Sequence, residues 1–191
     1  MNKAIRRFVT GAAVVAGFLA VTAVPAAAVE GGPTHVLRNL NSNDAVAVQG
    51  ASKSNGALAI QYPFKNNGVD NDIMVLEYVD QNANDWVRLK PLHAFTPDGN
   101  VHNDKCLAVQ NAATGKDKAI IQYTCTYGDT NNDVWREQIV KRANGTTYYQ
   151  FRNVHSGMCM VVKGAVKTDG AQLITHDCDG GANTLWNHSW F

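Results

Sequence analysis

The stretch CLAVQNAATGKDKAIIQYTC, from Cys106 to Cys125, sets two cysteines nineteen residues apart, and Cys159 and Cys178 repeat the interval. These are the chain's only cysteines. Working outward from the two pairs decides the fold, because the residues around them recur as well. Asn100 stands six before Cys106 in NVHNDKC, and Asn153 six before Cys159 in NVHSGMC. A third copy, without cysteine, begins at NLNSNDA, where Asn39 precedes Ala45 by six. From the anchors Ala45, Cys106 and Cys159 run the segments AVAV, CLAV and CMVV. Ile60, Ile121 and Ile174 lie fifteen further on; Tyr62, Tyr123 and His176 seventeen; Phe64, Cys125 and Cys178 nineteen. Asn71 and Asn132 fall twenty-six past their anchors and Asn183 twenty-four, and each is followed at the third residue by Met74, Trp135 or Trp186. Recurrence at this many positions marks three copied units, of which the first lacks its cysteine pair.

Inside each unit the signals are those of strands. AVAV, LAIQY, IIQY and YYQF alternate or are wholly apolar, and N-G, D-G and G-G pairs break them. After residue 28 no window keeps a helical apolar stripe. All-β character with threefold repetition predicts a β-trefoil with pseudo-threefold symmetry, a short closed barrel capped by three hairpins; three units are too few to close a propeller. The repeats span roughly 35–79, 95–140 and 146–191. Trp86, in DQNANDW, lies outside the repeated positions, in an extra stretch between repeats one and two. If each cysteine pair closes within its own unit, each bridge constrains the unfolded chain by roughly 3 kcal/mol. In the first unit Ala45 and Phe64 would then stand in for the bridge, a phenyl ring filling the space over an alanine.

The chain's beginning carries Lys3, Arg6 and Arg7, an apolar run from Phe8 to about Val24, and the small triplet Ala26-Ala27-Ala28. That is the three-part pattern of a secretory signal peptide over residues 1–28, leaving 29–191 as one domain. Without those three cations the count is 14 Lys+Arg against 16 Asp+Glu, a net of −2. A near-neutral surface with no basic run gives no electrostatic case for nucleic acid, or for a membrane once the signal peptide is cleaved. A secreted, extracellular location makes disulfides chemically reasonable.

At these residues the chain resembles the repeats of ricin B-chain-type lectins, β-trefoils with three sugar-binding subdomains. The likeness is carried by YQFRNVHSGMCMVV…AQLITHDCDGGANTLW and by the Cys106–Trp135 segment, and it covers the mature chain, most clearly in repeat three. The resemblance implies a shallow sugar pocket per repeat. An Asp two after the first Cys accepts hydrogen bonds from sugar hydroxyls, an aromatic two before the second Cys stacks on the sugar, and the N-Q-x-W motif supplies an Asn donor while its Trp belongs to the core. Carried over, the aromatic positions are Tyr62 and Tyr123, with His176 as a weaker stand-in, and the amides are Asn71, Asn132 and Asn183. The Gln of N-Q-x-W is replaced by Asp72, Asp133 and Thr184, and the acceptor Asp positions hold Ala47, Ala108 and Val161. A charged acceptor makes the stronger hydrogen bonds, worth on the order of 1.5–3 kcal/mol, so its loss argues against the family's usual galactose geometry.

Two readings of the neighbouring acids stand open. In one, Asp72 and Asp133, with Gln61 and Gln122 preceding the tyrosines, supply a relocated acceptor set for a saccharide in a different pose. In the other, they cap turns and repair hydrogen bonds between repeats. No cofactor or metal is expected. Asp129, Asn131 and Asp133 begin like a calcium loop, but Val134 and Val140 occupy the places of its Gly and Glu. The six histidines show no zinc spacing, and no nucleophile elbow occurs. The function expected is a secreted, non-catalytic, lectin-like protein binding a polysaccharide or glycan; the alternative is a trefoil that has lost sugar binding and serves as a protein-interaction or inhibitor module.

Overall fold

The β-branched and alternating segments become twelve strands in a computed structural model that describes residues 33–79, 85–96, 103–127 and 131–190. They are β1 (Thr34–Asn39), β2 (Ala45–Val48), β3 (Ala59–Tyr62), β4 (Met74–Tyr78), β5 (Trp86–Pro91), β6 (Lys105–Val109), β7 (Ile120–Thr124), β8 (Trp135–Ala143), β9 (Thr146–Asn153), β10 (Cys159–Val162), β11 (Leu173–His176) and β12 (Trp186–Trp190). The signal-peptide segment and Asn100 lie outside the described residues.

Six strands close a barrel. β1 pairs with β4 and β12, β4 with β5, β5 with β8, β8 with β9, and β9 with β12, all antiparallel. Closure removes the free edges that an open sheet would expose. The other six form three hairpins, β2–β3, β6–β7 and β10–β11, in one register: Ala45 faces Tyr62, Cys106 faces Tyr123, and Cys159 faces His176. Isolated bridges Leu58–Ile121, Ala119–Ile174 and Ile60–Gln172 join each hairpin to the next, so the cap is cyclic. This is the β-trefoil expected from the repeat.

Symmetry extends into the core, where one apolar cluster fills barrel and cap. Met74, Trp135 and Trp186 enter it from equivalent strand positions, as do Leu37, Leu89 and Phe151. The indole N–H groups of Trp135 and Trp186 donate to the Leu107 and Met160 carbonyls at 2.8 and 3.2 Å, so these buried rings leave no polar atom orphaned. Disulfides join Cys106 to Cys125 and Cys159 to Cys178, each within its own repeat. In repeat one Phe64 packs on the cluster of Val36, Ala45 and Ile73, with the Arg38 guanidinium 5.0 Å from its ring centre.

The second repeat begins earlier than its expected start near residue 95. Asn39 pairs with Trp186, Asn153 with Trp135, and Pro91 with Met74, which makes β5 the counterpart of β1 and β9. Trp86 is therefore the first residue of a barrel strand and not part of an extra stretch between repeats. The sequence register misled because the insertion lies between Pro91 and Cys106, separating the strand from its anchor.

Candidate functional site

Strand alternation sends successive residues of each hairpin's second strand to opposite sides. Tyr62 and Tyr123 face outward, Tyr123 with 46% of its surface exposed, while Gln61 and Gln122 are fully buried. The Gln61 Nε2 donates to the Val166 and Thr168 carbonyls of repeat three, both at 3.0 Å. Gln122 Nε2 donates to Ser52 and Ser54 carbonyls of repeat one at 2.8 and 3.2 Å. Thr175 completes the cycle, its hydroxyl donating to Gly115 at 2.8 Å. Gln61 and Gln122 are thus ties between hairpins beneath the cap, which corrects their assignment to the sugar-contact set.

Beside each outward aromatic the chain returns toward the barrel, and an asparagine pins it there. The Nδ2 groups of Asn71, Asn132 and Asn183 donate to the carbonyls of Val48, Val109 and Val162 at 2.8, 3.0 and 3.4 Å. These bonds engage one N–H of each amide with the main chain. The turn leaving the first strand forms the opposite rim. There Gly50, Asn111 and Gly164 have φ of 63°, 57° and 67°, and Ala51, Ala112 and Ala165 follow at 48°, 49° and 51°. Left-handed alanine costs roughly 1–2 kcal/mol. Each such turn receives a hydrogen bond from another repeat: Asn41 Nδ2 donates to Ala165, while the imidazoles of His93 and His155 contact the Ser52 and Ala112 carbonyls.

In repeat one these walls enclose a cleft of about 400 Å³. Ala47 and Ile60 line its base, Tyr62, Lys65, Asn71 and Asp72 its sides, and Gly170 of repeat three its edge. The Lys65 ammonium lies 4.9 Å from the Tyr62 ring centre. Repeat three carries a matching cleft of about 420 Å³ lined by Val161, Ile174, His176, Asp179, Asn183 and, from repeat two, Asp117. Asp117 and Asp179 escape a repeat-by-repeat reading. Asp117 reaches the cleft from the neighbouring repeat, and Asp179 stands just beyond Cys178, where repeats one and two have Lys65 and Thr126.

The two acids singled out from sequence occupy equivalent places. Asp72 Oδ2 accepts the Lys65 backbone N–H at 2.9 Å, and Asp133 Oδ2 accepts that of Thr126 at 2.6 Å. Both cap the loop that follows the hairpin. Asp133 is 1% exposed and lies 3.6 Å from Arg88 Nε, within a buried group that also contains Glu77, Lys90 and Asp104. Asp72 borders the repeat-one cleft but is itself buried, at 5% exposure, and its Oδ1, like that of Asp133, has no hydrogen-bond partner among the described residues. No cluster of His, Cys, Asp or Glu among the described residues has the arrangement of a metal site.

The family model for the ricin-type beta-trefoil lectin domain-like family matches residues 99–176 and 131–189. Among solved structures, the chain is similar to ThreeFoil, a designed threefold-symmetric protein, at 30% identity and a TM-score of 0.68, covering 83% of this chain and 99% of that one. It is similar to the ricin B-like lectin of Macrolepiota procera, solved in complex with lactose, at 13% identity and TM-score 0.59, covering 86% and 99%. It also matches 31% of the length of an exo-β-1,3-galactanase from Clostridium thermocellum, over 86% of this chain, at 21% identity and TM-score 0.69. No curated protein matches in sequence. With the family match spanning its second and third repeats, and the barrel, cap and buried tryptophans repeating around one axis, the chain belongs to the ricin B-type β-trefoil lectin family.

Proposed function

We propose that this is a secreted, non-catalytic carbohydrate-binding protein that holds sugar units of a polysaccharide or glycan in the repeat clefts. The observation that carries the reading is the recurrence of one cleft in repeats one and three. Tyr62 or His176 stands on the same hairpin rung, and Asn71 or Asn183 is held by the same hydrogen bond. In repeat two Tyr123 and Asn132 occupy the corresponding places. An outward ring can cover the apolar face of a pyranose while the amide oxygen accepts from a hydroxyl. The acceptor missing at Ala47 and Val161 is supplied from elsewhere, by Asp72 in repeat one and by Asp117 and Asp179 in repeat three. Asp133, sealed beneath Arg88, serves the loop and not the ligand. Weak clefts on one rigid body act together on a repeating polymer through effective concentration.

The test is a glycan array and insoluble-polysaccharide pull-down with the wild type, Tyr62→Ala, Asp72→Ala, and an Asp117→Ala/Asp179→Ala double variant. Retention on a polysaccharide, lowered by variants in either cleft, is expected. Retention unaffected by all of them, or absent from every glycan, overturns the reading and leaves the protein-interaction alternative.

A further inference from the structure

The barrel's other end, away from the hairpin cap, holds a further cavity that the repeat does not generate. It measures about 310 Å³ and is lined by His35, the Thr146–Thr147 pair, Tyr149, Asn187, His188 and Trp190. Trp190 is the most exposed large apolar side chain described, at 79%. An indole so exposed would ordinarily be free to rotate, but this one is held. It pairs across β1 and β12 with His35, and the two ring centres are 4.5 Å apart. His35 is itself 4% exposed, lines the cavity, and its Nδ1 has no hydrogen-bond partner among the described residues.

The wall behind is equally fixed. His188 Nε2 lies 2.7 Å from Glu137 Oε1, Tyr78 donates to Glu137 Oε2 at 3.1 Å, and Tyr149 stacks on His188 at 4.3 Å. These contacts place Glu137, which does not line the cavity, behind the rings that do. What faces the cavity is therefore an indole, an amide, a phenol, two threonines and two imidazoles, with no Lys, Arg, Asp or Glu among the lining residues. Charged ligands find no counter-ion there, and a purely apolar one would strand His35 and Asn187. A ring with one apolar face and a rim of hydroxyls meets both demands.

We propose that the open mouth of the barrel is a neutral-saccharide site in which Trp190 stacks on the sugar ring and Asn187, His35 and the Thr146–Thr147 pair take its hydroxyls. It is independent of the repeat clefts and lies at the opposite end of the fold, so a glycan chain could engage the protein at both ends.

Heteronuclear NMR of the indole N–H of Trp190, assigned by its loss in Trp190→Phe, tests this directly. Galactose, lactose, xylohexaose and laminarihexaose are titrated to about 20 mM, well past a millimolar dissociation constant. The proposal expects a saturable Trp190 shift with at least one of them, weakened about tenfold in Asn187→Ala as a hydrogen bond to the sugar is lost. It also expects the shift to persist in a Tyr62→Ala/His176→Ala variant with both clefts disabled. No saturable shift with any probe, a shift indifferent to Asn187→Ala, or one abolished by the cleft variant overturns it. Cleft resonances that respond while Trp190 stays silent refute this site alone, and the converse refutes the cleft reading alone.

Discussion

The side-chain amide of Asn39 donates to the main-chain carbonyl of Asn183, 144 residues later, at 3.1 Å, and to that of Leu185 at 3.3 Å. Asn153 makes the same pair of bonds to Asn132 and Val134 at 2.9 and 3.2 Å. Each asparagine therefore holds the cleft-forming loop of another repeat in place. Both are buried, at 2% and 0% exposure, so removing the amide strands backbone carbonyls away from water. Asn39→Ala and Asn153→Ala should each cost about 2–3 kcal/mol in urea unfolding. Asn39→Ala should also weaken sugar binding in repeat three while sparing repeat one. Equal loss at both clefts would show that these asparagines support the whole fold and not the loop they touch.

Why the sequence disclosed some of this and not the rest follows from range. The anchors, the aromatic rungs and the buried tryptophans are spaced along one repeat, so periodicity found them. Pro91, which takes the place of Asn39 and Asn153, is separated from Cys106 by an insertion, so the six-residue interval falls on Asn100 instead. Gln61 and Gln122 sit one residue from the tyrosines, but strand alternation turns them inward, a distinction that proximity in sequence erases. Asp117 is hidden for the opposite reason: its cleft belongs to repeat three although its residue number belongs to repeat two.

Asp104 is 2% exposed and accepts from Lys90 Nζ at 3.0 Å and from the Thr96 hydroxyl and backbone N–H at 2.8 and 3.1 Å. Burial opposes the charge on Lys90, but the hydrogen bonds it donates to Glu77 and Asp104 outweigh it and raise its pKa. Asp104→Ala leaves that ammonium with Glu77 as its one carboxylate partner among the described residues and should cost about 3–5 kcal/mol. Adding Lys90→Met removes the stranded cation, so the double variant should be more stable than the sum of the singles implies. Additive losses in chemical denaturation would contradict the coupling.

His35 titrates far below an ordinary imidazole, at about 4, because burial disfavours its cation; the neighbouring His188 adds to the effect and Glu137 opposes it. The unfolded chain takes up a proton near pH 6.5 that the native protein refuses. Stability attributable to His35 is thus complete above pH 6.5, falls as the pH drops toward 4, and then levels off, a loss of about 3 kcal/mol in all. His35→Phe, which keeps a ring against Trp190 and His188, should flatten that slope in urea midpoints taken between these limits. Parallel profiles for the two proteins would place the titrating group elsewhere.

Repeat one lacks the disulfide of its siblings, yet its hairpin has their geometry. Ala45 faces Tyr62 on the same rung where Cys106 faces Tyr123, and the bridged Cys106 and Cys125 have Cα atoms 5.0 Å apart. Phe64 occupies the position of the second cysteine and packs on Ala45's cluster, so ring packing replaces the cross-link. An Ala45→Cys/Phe64→Cys variant should therefore oxidise to a third bridge with no titratable thiol remaining. Lost phenyl packing of about 2–3 kcal/mol should roughly offset the roughly 3 kcal/mol of chain constraint. The oxidised variant should then match the wild type in thermal stability, while selective reduction of the new bridge drops it well below. Two persistent free thiols would mean that repeat one has drifted from the backbone of the other two, and that the phenyl ring does not stand in for the bridge.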